Sequence, residues 1–224
     1  MSEPDRGSLR LAALLCPACG NDLDGLAPDR VFGCGTCARA WSVEPDGLRD
    51  SPLVCWEAGT AGPVVDLPVW AFEVEATVVL PPKTRVSLPG GAPPAERLVP
   101  FPHPRVYVAA FELVGRTRFG DPGLHLTRRQ PAARVREGGP PPRLAGATLT
   151  RAVAAELVPG TVLSVVDVIE DVLGGKVDLR IVSHSLVLVP FARREDGGVT
   201  EPFGGVGYPP AAIPDLGAIA AAAR

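Results

Sequence analysis

Two Cys-x-x-Cys pairs constrain this chain more than any other feature: CPAC at 16–19 and CGTC at 34–37, with residues 20–33 between them. Thiolate sulfur is a soft ligand, and two such knuckles facing one another place four ligands at the corners of a tetrahedron. The spacing falls a residue short of the roughly 15–20 of the usual ribbon pattern, a small change for a connecting hairpin. Gly20 follows Cys19, and Gly33 and Gly35 bracket Cys34. Glycine at these places suits tight turns whose amides point at the sulfurs. With every coordination position filled by protein, no place remains for a reactive water. The pattern therefore predicts one structural Zn2+ held by Cys16, Cys19, Cys34 and Cys37.

Around the knuckles, residues 14–48 read LLCPACGNDLDGLAPDRVFGCGTCARAWSVEPDGL. The leading leucines, CPAC, Leu23, and the second knuckle followed by Trp41, Val43 and the Asp46–Gly47 pair resemble the zinc ribbon of Trm112-like proteins. The knuckles are also similar to those of rubredoxin-like ribbons, which keeps iron on the same ligands as the alternative metal. Trm112-like proteins are small adaptors that activate or stabilise methyltransferase partners, so the resemblance implies a ribbon used for protein contacts. Trp41 stands where that family usually has tyrosine, and the segment EPDGLRDSP and the long C-terminal region depart from it. Partner identity is therefore not implied. Residues 64–200 resemble no family named here.

The 26 prolines and 25 glycines together far exceed the average share of roughly 12 %, so many turns are expected. No window approaches the roughly 18–20 apolar residues of a membrane-spanning helix, and the N-terminal run Leu9–Leu15 has a poor signal-peptide form. The expectation is a cytoplasmic protein without membrane contact, in a compartment where paired cysteines hold metal rather than form disulfides. Cys55, left over, reads as a small buried hydrophobe beside Trp56.

Beyond the small-residue stretch at 58–63 the pattern becomes that of a half-buried strand, with Trp70, Phe72, Val74, Ala76 and Val78 on one face and Ala71, Glu73, Glu75 and Thr77 on the other. Residues 81–104 are too proline-rich for a central strand and read as a surface connection. Strand character returns at 105–115. Thr148 or Thr150 can cap a helix over TRAVAAELV that Pro159 and Gly160 stop, and 161–175 leans to helix. Residues 177–191 read as a strand pair or one long bent strand, buried on both faces in its second half. The fold class expected is mainly β with minor α (α+β): a zinc ribbon over 1–50, a linker over 51–63, a β-rich domain with one or two helices over 64–200, and a Pro/Gly/Ala-rich tail over 201–224.

No histidine among His103, His125 and His184 stands in a metal or nucleophile motif, and the Gly-Gly pairs match no phosphate-binding pattern. The chain therefore reads as non-enzymatic. Net charge is only -3, but arginine concentrates in the centre, at Arg105, Arg116, Arg118, Arg128, Arg129, Arg134, Arg136, Arg143 and Arg151. Clustered guanidinium groups bind phosphate or acidic protein surfaces. The stretch has few aromatics to stack on bases. The function expected is an adaptor or assembly factor that docks another protein's acidic surface on Arg128, Arg129, Arg134 and Arg136. Nucleic-acid binding through the same centre is the alternative, and an enzyme with a site in the β-rich domain is the second.

Overall fold

The computed structural model describes residues 14–44, 46–59, 62–82, 95–137 and 143–222. In chain order the elements are β1 (Val31–Gly33), β2 (Arg39–Glu44), β3 (Gly47–Cys55), β4 (Val64–Leu80), β5 (Arg97–Pro100), β6 (Arg105–Ala109), α1 (Arg116–Phe119), α2 (Pro122–Arg129), α3 (Arg151–Val166), β7 (Lys176–Arg193), β8 (Val199–Thr200), β9 (Gly207–Tyr208) and α4 (Leu216–Ala222). The chain is thus mainly β with minor α. No helix among the described residues is long and apolar enough to cross a membrane.

The alternation expected at 70–78 extends in both directions to make β4, which pairs antiparallel with β7 from Val64↔Ala192 to Val79↔Lys176. Residues 177–191 are therefore one strand. Trp70, Phe72, Val74 and Val78 face one core, while Val65, Leu67, Val69 and Ala71 face the other. The first is covered by α3, the second by α2 and the C-terminal residues Tyr208, Ile213, Leu216 and Ile219. Residues 186–191 of β7 are buried on both faces, as their continuous apolar run predicts.

Proline inside such strands has a local explanation. Ala110 N–H donates to the Pro68 carbonyl and Trp56 N–H to the Leu188 carbonyl, although Pro68 and Leu188 are opposite one another. Both backbones thus point away from the β4–β7 ladder, so the missing Pro68 N–H costs that ladder nothing. Pro190, two residues beyond Leu188, has the same orientation.

Three expectations need correction. Helix α3 does not stop at Pro159 and Gly160 but continues to Val166. Ala154, Val158, Val162 and Val166 recur every fourth residue and are buried against the sheet, so packing overrides the break that a proline imposes on an isolated helix. Within 81–104, which includes undescribed residues 83–94, Arg97–Pro100 form strand β5 at the edge of β4. Strand β6 ends at Ala109, and α1 and then α2 follow, α2 capped by Asp121 accepting from Gly123 and Leu124 amides with Pro122 at its first turn. That Asp-Pro start signal was present in the sequence.

Pro159→Ala restores an N–H for the free carbonyl in the middle of α3 and removes the ring clash. We expect chemical denaturation to show the variant more stable by about 2 kcal/mol.

Candidate metal centre

The second knuckle is the turn between β1 and β2, which pair antiparallel from Val31↔Ser42 to Gly33↔Ala40. The first is tied to it through the isolated bridge Asp24↔Gly33. Left-handed backbone follows each knuckle, at Gly20 (φ 76°) and Ala38 (φ 54°). Gly20 was legible as such a turn; Ala38, carrying a Cβ in the same conformation, was not.

The fold brings all four predicted ligands together. Cys16 Sγ lies 3.5 Å from Cys37 Sγ, Cys19 Sγ lies 3.4 Å from Cys34 Sγ, and the four sulfurs all fall within 4.8 Å of one another. These separations are too long for disulfides. The 3.5 Å and 3.4 Å separations lie a little below the roughly 3.8 Å edge of a sulfur tetrahedron built on metal–sulfur bonds of roughly 2.3 Å. Cys16 and Cys34 are buried, packed with Leu23, Phe32 and Trp41, while Cys19 is exposed. The leucine and tryptophan that carried the family resemblance are thus the apolar wall of the sulfur cluster.

Electrostatics fit a cation at this point. Burial pushes the Cys16 thiol up, but the amides of Ala18 and Cys19 and the neighbouring thiols outweigh it and bring it down to about 6. At Cys34 burial again acts upward, and the amides of Cys37 and Thr36 with two thiols carry it below the ordinary value. Cys37 moves the other way, to about 12, through burial and its three cysteine neighbours. Four thiols this close cannot all ionise alone, and a metal cation removes that conflict. Among the described residues the donor set is the four cysteine sulfurs, which suits a closed, structural ion. Cys55 lies outside the cluster, its thiol pushed up to about 11 chiefly by burial.

The centre is joined to the β-rich body. Strand β3 pairs with β2 from Gly47 to Pro52 and with β7 from Leu53 to Cys55, in parallel. Residues 51–55 of the expected linker are therefore strand. Arg151 N–H donates to Ser42 Oγ at 3.3 Å, Ser42 Oγ–H donates to Glu44 Oε1 at 2.9 Å, and Ala152 N–H donates to Glu44 Oε1 at 3.4 Å. Thr150 Oγ1 accepts from Val153 N–H at 3.3 Å. Two side chains of β2 thereby complete the N-terminal cap of α3, and Glu44 sets a carboxylate at the positive end of its dipole. Arg30 and Val31 amides both donate to the Ala147 carbonyl. A Cβ on Gly33 would come within 2.8 Å of Leu144 Cβ, so that glycine serves close packing as well as the turn. Sequence reasoning missed Ser42 and Glu44 because their partners lie more than a hundred positions away.

The predicted arginine cluster is divided. Arg128 donates to the Ser164 carbonyl at 3.0 Å, and Arg136 pairs with Asp66 at 3.1 Å. Arg129 and Arg134 are exposed. Elsewhere in the basic centre, Arg105 pairs with Glu73 and Arg116 with Asp121. Part of this charge thus neutralises the chain's own carboxylates.

Comparison with protein-family models, curated proteins and solved structures finds no match. The likeness to Trm112-like ribbons rests on residues 14–48 alone.

With metal bound, we expect iodoacetamide at neutral pH to modify none of the five cysteines. After chelation Cys16 and Cys34, whose thiols lie below the ordinary value, should be alkylated ahead of buried Cys55, as read by peptide mass spectrometry.

Proposed function

We propose that this chain is a non-enzymatic zinc-ribbon protein, an adaptor or assembly factor that works through protein–protein contacts in a reducing compartment. The observation that carries the reading is the four-sulfur cluster, whose donors fill a tetrahedron and leave no position for substrate or reactive water. Zinc is the metal proposed, since it takes four thiolates without geometric preference of its own and lends folding energy rather than chemistry.

The proposed partner is a protein with an acidic face, met by the exposed arginines around the end of α2 and the segment after it. Arg128, Arg129 and Arg134 are exposed there. Arg136 holds Asp66, whose side chain is only 15 % exposed, so it serves the fold as well as any contact.

The test follows that division. Changing Arg128, Arg129 and Arg134 to Glu, with Arg136 left in place, should alter stability little, because exposed charges contribute roughly 0–1 kcal/mol each. Partners captured from the native cell by the wild type should be lost by the variant. Their retention should also fall with salt, since such contacts are screened beyond a Debye length of roughly 8 Å. Equal capture by wild type and variant would remove these arginines from the interface. Purified protein lacking zinc would remove the ribbon reading itself.

A further inference from the structure

One side of β7 is paired along its whole length, and the other is not. Strand β4 covers the first side from Val64 to Val79. On the second, β3 reaches only Leu186 to Leu188, with β8 at Ala192 and Arg193. Pro52, next along β3, has no N–H with which to carry the parallel ladder further. Among the described residues, no strand pairs with the outer edge of Lys176–Ser185.

The direction of the backbone groups on that edge follows from neighbouring bonds. Phe101 N–H donates to the Ala76 carbonyl, and Val74 N–H to the Pro104 carbonyl. Ala76 and Val74 therefore point away from β7, and their partners Leu179 and Ile181 point away from β4. Val177, opposite Val78, has the same parity. Three N–H and three C=O groups, at Val177, Leu179 and Ile181, thus face outward on a half-buried strand. The register shift at Glu73/Val74 leaves Val182 as a bulge that closes this open stretch. Its side chains alternate between partly buried Val177, Leu179 and Ile181 and exposed Lys176, Asp178 and Arg180.

An edge of this kind is a template for another strand unless its charges repel one. Here the charges suit an antiparallel copy of the same strand and the apolar side chains set its register, with Arg180 also paired to Glu75 of β4 at 2.6 Å. An antiparallel copy of the same strand, related by a two-fold axis through Leu179, sets Leu179 opposite Leu179, and Val177 opposite Ile181 twice. All six outward groups of each chain then find partners across the axis. The intervening positions set Asp178 of each copy opposite Arg180 of the other. Moving the axis to Val177 keeps two charge pairs, now Asp178 opposite Lys176, but places Gly175 opposite Leu179 and Gly174 opposite Arg180, losing the Val177–Ile181 side-chain pairs. Moving it to Ile181 places Ser183 opposite Leu179, and Ser183, beyond the bulge, points toward β4.

We propose that β7 is a self-pairing edge: two copies of this chain join antiparallel along Lys176–Val182 about a two-fold axis at Leu179, making one continuous sheet. Isologous pairing of this form closes after two copies. The inference is independent of the adaptor reading, since neither the sulfur cluster nor the arginine segment takes part.

Sedimentation of the full, metal-loaded chain over the micromolar range tests it. The mass should rise with concentration toward twice the 23.3 kDa chain. Leu179→Pro deletes an outward N–H that the single chain does not use. Asp178→Arg sets like charges opposite one another at two places and leaves the backbone untouched, so it serves should the proline variant fold poorly. Each should weaken association at least about tenfold while metal content and circular dichroism stay unchanged. Leu179→Cys should oxidise to a disulfide-linked dimer, and Lys176→Cys should not. A chain that remains monomeric throughout, one that binds an added extended peptide at this edge while monomeric, or a dimer indifferent to Asp178→Arg would each overturn the proposal.

Discussion

Strand β3 belongs to two sheets, and the rest of the molecule is arranged around that fact. From Gly47 to Pro52 it completes the three-stranded sheet carrying the second knuckle; from Leu53 to Cys55 it lies along β7. A strand cannot tilt in one sheet without moving in the other, so the cysteine module is fixed in direction relative to the body. The inner face of the module uses this closeness. Val31 and Ala40 join the same buried cluster as Trp70, Val158 and Leu186, and Ser42 and Glu44 supply the cap that α3 needs. Burial pushes the Asp29 carboxyl above its ordinary range, and its Oδ2 accepts from the Leu26 amide at 2.6 Å and the Gly146 amide at 3.1 Å. Asp29 Oδ2, Ser42 Oγ and Glu44 Oε1 thus find partners across the junction, whereas Asp29 Oδ1 is buried without one among the described residues.

This junction gives a closed metal site a consequence beyond its own loops. Four thiolates cannot stay together without a cation, and β1 and β2 run directly out of the second knuckle. A metal held there would therefore order the two strands that present Ser42 and Glu44 to the helix. The helix in turn covers one face of the long β4–β7 ladder. One route runs from the sulfur cluster through β2, cap and helix to the sheet, and β3, paired with both β2 and β7, is a second.

How much of this was legible in the sequence divides by distance along the chain. The ligands could be read because two knuckles are local patterns whose chemistry admits few other uses. The core face of β4 could be read because alternation at Trp70, Phe72 and Val74 is itself local. Helix α3 was read short because Pro159 is a local stop signal, whereas the burial of Val162 and Val166 that carries the helix past it comes from the sheet. Nothing local in the sequence marks Glu44; its role as a cap exists only once α3 is brought beside β2. The tail over 201–224 was set apart from the β-rich domain because alanine, glycine and proline dominate it, yet Tyr208, Ile213 and Leu216 fill the second core. Each miss is a case of tertiary burial overriding a local preference.

Hydrogen exchange measured before and after chelation tests the central claim most directly. If the cysteine module and the body form one cooperative unit, removing the metal will strip protection from residues 14–44 and also from the Arg151, Ala152 and Val153 amides at the start of α3. Exchange that quickens within residues 14–44 while those three amides keep their protection would contradict it.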